Sequence, residues 1–205
     1  MPIARKLATT TGILIILFSL PASGQWLCEQ PTNLTTNCGF DAGIADWVQE
    51  GGDSFTHAAD GNYAPGSFEV ASQSIMGWDT SISQCINLAG GASVLGGGYW
   101  VSILSGPVES CSLSVSEFLA SDCITYSANA YESITSFPDT WNWVGRTFTL
   151  DPATSSVSVR VSCFSSTGDF VERLDDIYLG AGQSEMIFGA GFEHGNTARW
   201  SATVP

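Results

Sequence analysis

The chain has 205 residues with six basic and twenty acidic side chains, a formal net charge of −14, and it carries seven Trp and eleven Phe. A surface this acidic repels phosphate backbones and anionic lipid, which argues against nucleic acid or membrane partners and favours neutral ligands or cations. The aromatic content excludes a disordered chain.

The first segment, MPIARKLATTTGILIILFSLPASG, places Arg5 and Lys6 before an apolar run from Ile13 to Leu20 and ends in small residues. That is the pattern of a secretory signal peptide over residues 1–24, too short in its apolar part to span a bilayer. Its removal leaves Arg146, Arg160, Arg173 and Arg199 against all twenty acidic residues, a net charge of −16 with no lysine. The protein is expected to be secreted or held at the cell surface. Six cysteines in such a chain, Cys28, Cys38, Cys85, Cys111, Cys123 and Cys163, imply up to three disulfides. With no Cys-x-x-Cys and only His57 and His194, nothing suggests a zinc cluster.

In chain order, short runs rich in Val, Ile, Ser and aromatics alternate with Gly, Asp, Asn and Pro, and helical periodicity is nearly absent. The predicted strands are Leu34–Asp41, Ser67–Ser72, Ile82–Leu88, Tyr99–Ser105, Ser112–Phe118, Trp143–Leu150, Val157–Phe164 and Leu174–Leu179. In SVSVRVSC, Val157, Val159 and Val161 share one face while Ser158, Arg160 and Ser162 share the other, as in a sheet with one buried and one wet side. Eight such strands predict an all-β, two-sheet antiparallel β-sandwich. The five-glycine stretch LAGGASVLGGGYW reads as a loop, and Ser121 to Thr140 as a longer surface loop carrying Tyr126, Tyr131 and Phe137.

The order NLTTNCGFDAGIADW, GSFEV, ISQCINL, YWVSIL, WNWVGRTFTL, SVSVRVSC and LDDIYLG resembles carbohydrate-binding modules of the CenC-like type, families 4, 9 and relatives. These are galactose-binding-like jelly rolls, and the resemblance covers Asn33 to Gly180. The domain is accordingly drawn at 25–180. It departs at Cys38, which stands where the opening motif commonly has Gly or Pro. The resemblance implies a non-catalytic module whose partner is a polysaccharide or oligosaccharide, acting as a monomer. It also implies a structural calcium where the first and last strands meet, at positions matched here by Gly39, Asp41 and the pair Asp175-Asp176. If Ile177 and Leu179 face inward, alternation makes Asp175 the inward ligand and turns Asp176 to solvent or a neighbouring strand. The loop HAADGNYAPGS would add Asp60. The competing reading has Asp175 accept backbone N–H bonds without a metal.

The jelly-roll order implies that the Ser67, Tyr99, Ser112 and Val157 strands share a sheet. Its outward residues would then be Glu69, Trp100, Ser102, Ser112, Ser114, Ser116, Ser158, Arg160 and Ser162. Trp100 beside Arg160 and Glu69 would form the sugar platform, an aromatic face for C–H stacking among fixed hydrogen-bonding groups. Trp78 and Trp141, read in loops, are second candidates. The alternatives are a surface Arg160–Glu69 ion pair and a Trp100 covered by a loop, in a structural or adhesive module that binds no sugar. Proximity in the chain pairs Cys28 with Cys38. The resemblance loosely couples Cys85 to Cys123 and leaves Cys111 and Cys163; the residues alone leave those last four open to three pairings, or Cys163 as a free buried thiol.

No G-x-S-x-G and no carboxylate pair in a recognisable catalytic motif is present. The segment 181–205 reads as a separate tail in which GFEHGNTARW echoes GFDAGIADW; it is either an attachment tag or a strand-like tail anchored by Phe188, Phe192 and Trp200. Asn33-Leu34-Thr35 is a glycosylation sequon.

Overall fold

The structure, a computed structural model, describes residues 27–41, 43–51, 54–62, 66–72, 80–88 and 93–181. The predicted signal peptide, Trp78 and the C-terminal tail beyond Ala181 lie outside these residues.

The described residues form ten strands: β1 Val48–Gly51, β2 Ser54–Ala58, β3 Ser67–Ser72, β4 Thr80–Asn87, β5 Val94–Ser105, β6 Ser110–Phe118, β7 Tyr126–Ile134, β8 Asn142–Thr149, β9 Ser156–Phe164 and β10 Phe170–Ala181. They form two five-stranded antiparallel sheets, here sheet I in the order β1-β4-β9-β6-β7 and sheet II in the order β2-β3-β10-β5-β8. The fold is the expected all-β sandwich of jelly-roll type. Alternation builds its core: Val157, Val159 and Val161 of β9 are fully buried, with Leu113 and Val115 of β6 and Ile82 of β4. Sheet II answers with Leu95, Tyr99, Val101, Phe148, Leu174, Ile177 and Leu179. Each such side chain contributes about 1.5–3 kcal/mol when fully withdrawn from water.

Four local expectations are corrected. The Ser67 and Tyr99 strands (β3, β5) belong to sheet II while the Ser112 and Val157 strands (β6, β9) belong to sheet I, so the four do not share a face. Leu34–Asp41 is not a strand: Asn37 and Phe40 take left-handed backbone angles, and only Asn33 bridges to Gly180. The segment instead runs irregularly beside the second half of β10, where Leu34 N–H donates to Leu179 O and Ile177 N–H to Cys38 O. The supposed loop Ser121 to Thr140 contains β7, paired along its length with β6. Finally, Gly96 to Gly98 lie within β5, because the Trp143 ring lies flat over the strand and a Cβ on Gly98 would sit 2.0 Å from it.

Three disulfides join Cys28–Cys38, Cys85–Cys123 and Cys111–Cys163. Cys111 and Cys163 lie directly opposite one another in the β6–β9 ladder, which decides the pairing the sequence left open. The sequon Asn33 is engaged internally: its Nδ2 donates to Cys28 O and Thr35 O, and its Oδ1 accepts from Thr35 N and Oγ1.

Candidate functional site

The outer face of sheet I gathers the hydroxyls that the sequence placed on β6 and β9; Ser81 and Ser83 of β4 lie on the same side but are buried, engaged by Arg160 and Glu50. Strand register aligns five residues across the whole sheet, Val48, Ser83, Arg160, Ser114 and Tyr131, one from each strand. Four inter-strand spacings make that row roughly 19 Å long. Rows on either side carry Ser81, Ser162, Ser112 and Ser133, and Ser158, Ser116 and Asn129. Arg160 is held at the centre: its Nε lies 3.3 Å from Glu50 Oε2 and its Nη2 donates to Ser81 Oγ at 2.9 Å. Glu50 in turn accepts from Ser83 Oγ. A register shift between Gln49 and Gly51 marks a bulge at Glu50, the residue that reaches Arg160.

Aromatic rings come from β7. Tyr131 ends the central row and is 64% exposed. A second bulge, at Ser127, sets Tyr126 opposite Phe118 on the same outer face, where the rings meet edge to face at 6.0 Å. Reading β7 as a loop hid both tyrosines from the sequence reading. Tyr131 stands at period 2 with Asn129 and Ser133, but the interruption at Ser127 breaks that relation for Tyr126.

The proposed Trp100–Arg160–Glu69 platform does not form. Arg160 is on sheet I, whereas Trp100 and Glu69 are on sheet II. Trp100 is only 5% exposed and packs against Trp143 at a ring-centroid distance of 5.3 Å. Glu69 accepts from Arg173 Nε at 2.8 Å, so its cationic partner is Arg173 and not Arg160. Trp141 is half-buried just before β8, also on sheet II.

The aspartate pair is explained by a third bulge. Asp175 lies opposite Trp100 and Tyr178 opposite Gly98, so Asp176 and Ile177 together face Tyr99. Asp176 is left-handed at φ 49°, as the first residue of such a bulge can be. Leu174 and Ile177 both reach the core, while Asp175, expected inward, shares the outer face with Trp100. Asp176, expected toward solvent or a neighbouring strand, is 2% exposed and lies against the N-terminal segment beside β10, and Asp175 is itself only 1% exposed. The N-terminal segment 27–41 covers this region, with Leu27 and Cys38 over Tyr178.

The two carboxylates differ in their partners. Asp175 accepts from Asn62 N at 2.7 Å and from Asp176 N at 2.8 Å. Asp176 Oδ1 touches Cys28 Sγ at 3.5 Å, a disulfide sulfur with no proton to give, and its Oδ2 is buried without a hydrogen-bond partner. Asn62 Nδ2 is likewise buried and unpartnered. Burial drives both carboxyls far above their usual range. For Asp175 the two N–H bonds pull against that and Asp41 adds repulsion; for Asp176 the charges of Asp175 and Asp41 add to it. A Cβ on Gly39 would lie 3.6 Å from Asp176 Oδ1 and 3.9 Å from Asp41 Oδ1, so a side chain there would enter the space among the acids. A cleft of about 350 Å³, lined by Glu29, Asn33, Gly39 and Asp41 among others, opens beside them. Carboxylate and carbonyl oxygens are the ligands a hard cation takes, although as they stand Asp41, Asp175 and Asp176 do not bring their oxygens within 4.8 Å of one another. Asp60 does not join them: its carboxylate is exposed and ion-paired with Arg173, and its carbonyl accepts from Ser67 Oγ.

Inside the sandwich, Glu172 is fully buried, hydrogen-bonded by Thr80 Oγ1 at 2.6 Å and 3.9 Å from Cys111 Sγ. Burial raises its carboxyl to about 8 against the opposing Thr80 bond. Its neighbours Cys111 and Cys163 are bonded to each other, so this cluster offers no thiolates to a metal. Among the described residues, no helix is long and apolar enough to cross a membrane.

No protein-family model and no curated protein matches the sequence. Solved structures do share the fold. A family 61 carbohydrate-binding module in complex with β-1,4-galactotriose aligns with a TM-score of 0.55 at 19% identity, over 73% of this chain and 99% of that one. A family 16 carbohydrate-binding module gives 0.54 at 19% identity over 72% and 99%. A family 22 xylan-binding domain from Paenibacillus barcinonensis gives 0.51 at 14% identity over 70% and 96%. At these identities the likeness is one of fold.

Proposed function

We propose that this chain is an exported, non-catalytic carbohydrate-binding module, secreted or displayed at the cell surface, that takes a neutral glycan on the outer face of sheet I. The carrying observation is the register row Val48–Ser83–Arg160–Ser114–Tyr131, an aromatic at one end and a fixed guanidinium at the centre among hydroxyls. A pyranose has an apolar C–H face that stacks on Tyr131 and a rim of hydroxyls that Arg160 and the serines can hydrogen-bond. The strong net negative charge favours neutral over acidic glycans. Glycoside hydrolysis needs two facing carboxyls; of the carboxylates on this side, Glu50 is ion-paired with Arg160 and Asp122 is hydrogen-bonded to Asn87 at the far end of β4. The motif order supports the CenC-like type within this fold.

The proposal includes a structural calcium bound by Asp41, Asp175 and Asp176 with backbone oxygen near Gly39. Its support is the orphaned, buried Asp176 Oδ2. The cation would let these carboxylates stay charged under the N-terminal segment, and its role is to fasten that segment to β10.

A second reading, an adhesive or structural module, draws on the fact that Arg160 is already engaged by Glu50 and Ser81. Affinity electrophoresis and calorimetry of residues 25–205 against a polysaccharide panel separate the two. Binding that Tyr131→Ala and Arg160→Ala each weaken at least tenfold, without change in melting temperature, supports the glycan site. Absence of binding across the panel favours the adhesive reading.

A further inference from the structure

Large exposed apolar side chains are unevenly spread over the described surface. Val48, Leu119, Ile124, Tyr126 and Tyr131 belong to sheet I and the β6–β7 turn, and only Leu104 lies elsewhere. Three of them, Leu119, Ile124 and Tyr126, fall in or beside that turn. The turn does not project freely. Leu119 N–H donates to Thr125 O and closes its neck, and the chain between folds back past β9 to reach β4. There Cys123 is bonded to Cys85, Asp122 N–H donates to Asn87 Oδ1 at 2.9 Å, and Asn87 Nδ2 donates to Asp122 Oδ1 at 3.2 Å. Ser156 Oγ accepts from Cys123 N and donates to Ala120 O.

Asp122, Cys123 and the β-branched Thr125 all hold left-handed angles, φ 60°, 55° and 68°. Such angles are costly without glycine and persist only where surrounding contacts enforce them. The result is a turn of fixed backbone that sets exposed Leu119, Ile124 and Tyr126 beside the row Cys85, Ser158, Ser116 and Asn129 at one end of a hydroxyl-covered face, with Asp122 held back against Asn87. A backbone that is already fixed loses little further freedom when a ligand covers it.

We propose that the turn Leu119–Tyr126 is the specificity wall of the sheet I site, selecting glycans whose sugars carry methyl-terminated substituents, O-acetyl groups above all, over the same glycans bearing free hydroxyls. This rests on the glycan reading of sheet I. A fully hydroxylated rim set against Leu119 and Ile124 would leave its hydroxyls facing carbon, whereas an acetyl methyl is buried there without stranding a donor.

The test is a glycan array in which each O-acetylated backbone, xylan and glucomannan included, is paired with its mild-alkali deacetylated form, followed by titration of the backbone that binds. Wild type is expected to favour the acetylated member by about fourfold for each methyl buried. Ile124→Ser and Leu119→Ser, both at exposed positions, should erase the preference while binding to the deacetylated member holds. The Cys85→Ser/Cys123→Ser pair, which frees the turn, should erase it as well. Equal affinity for both members in wild type, or a preference that survives all three variants, overturns the wall. Failure of every backbone to bind, with Tyr131→Ala indistinguishable from wild type, overturns the glycan reading beneath it.

Discussion

Asp176 lies against the one residue of the N-terminal segment that has no side chain to interpose: its Oδ1 is 3.6 Å from where a Cβ on Gly39 would stand. With Asp41 and Asp175 beside it, this contact concentrates three carboxylates at the joint between the segment and β10. The chemistry of that joint sets the first prediction.

If calcium binds the folded state alone, saturation at a hundred times its dissociation constant adds about 2.7 kcal/mol. At roughly 2–4 °C per kcal/mol for a domain of this size, chelation should lower the melting temperature by about 5–11 °C, reversibly on adding calcium back. Asp176→Asn should lower it in calcium yet raise it in chelator, since the neutral amide relieves an unpartnered buried acid. Because the cation must displace protons from groups whose affinity for them is raised, apparent calcium affinity should fall as pH drops from 8 to 6. A melting curve indifferent to chelator, with no metal by elemental analysis, removes the calcium from the proposal.

Glu172 gives a second, separate pH dependence. Burial raises its carboxyl from 4.5 to about 8, so the folded state holds a proton that the unfolded chain releases near 4.5. The resulting stability is complete below the unfolded value and is lost as pH rises toward the folded one, by at most about 1.4 kcal/mol per pH unit between them. Glu172→Gln should flatten that decline. Denaturation midpoints of wild type and variant between pH 5 and 9 check it; parallel curves would show that Glu172 is not the titrating group.

The disulfides should separate by role. Cys111–Cys163 closes 52 residues across the core ladder, and its removal should cost about 4 kcal/mol on the chain-entropy account. Thiol labelling of the unfolded, unreduced protein should find no free cysteine. Labelling at Cys111 or Cys163 would contradict the pairing.

Trp100→Ala tests sheet II. A buried indole packed against Trp143 at a tilt should cost about 3–5 kcal/mol when deleted, with glycan affinity per folded molecule unchanged. Loss of affinity without loss of stability would return Trp100 to the binding face.

How far the sequence reached depended on whether periodicity ran unbroken. β9 and β6 alternate without interruption, and their Val and Ser faces were legible, as was the sandwich they imply. Arg160 and the serine rows were therefore found. What escaped were the bulges. Leu174 and Ile177 stand three apart, a spacing no regular strand can bury on one side, so LDDIYLG announces an extra residue; treating it as regular put Asp175 on the core side, whereas it shares the outer side with Trp100. The bulge at Ser127 likewise hid β7 and its tyrosines. The sheet to which each strand belongs rests on long-range pairing, and no local pattern distinguishes Trp100 of β5 from a residue on sheet I.

The Asn33–Gly180 bridge also bears on connectivity. It sets Asn33, near the start of the described domain, beside Gly180, near the end of β10, on sheet II, the layer behind the hydroxyl face. Joining the two points by a short linker and reopening the chain elsewhere should give a circular permutant that folds, provided the new ends avoid the Cys28–Cys38 clasp.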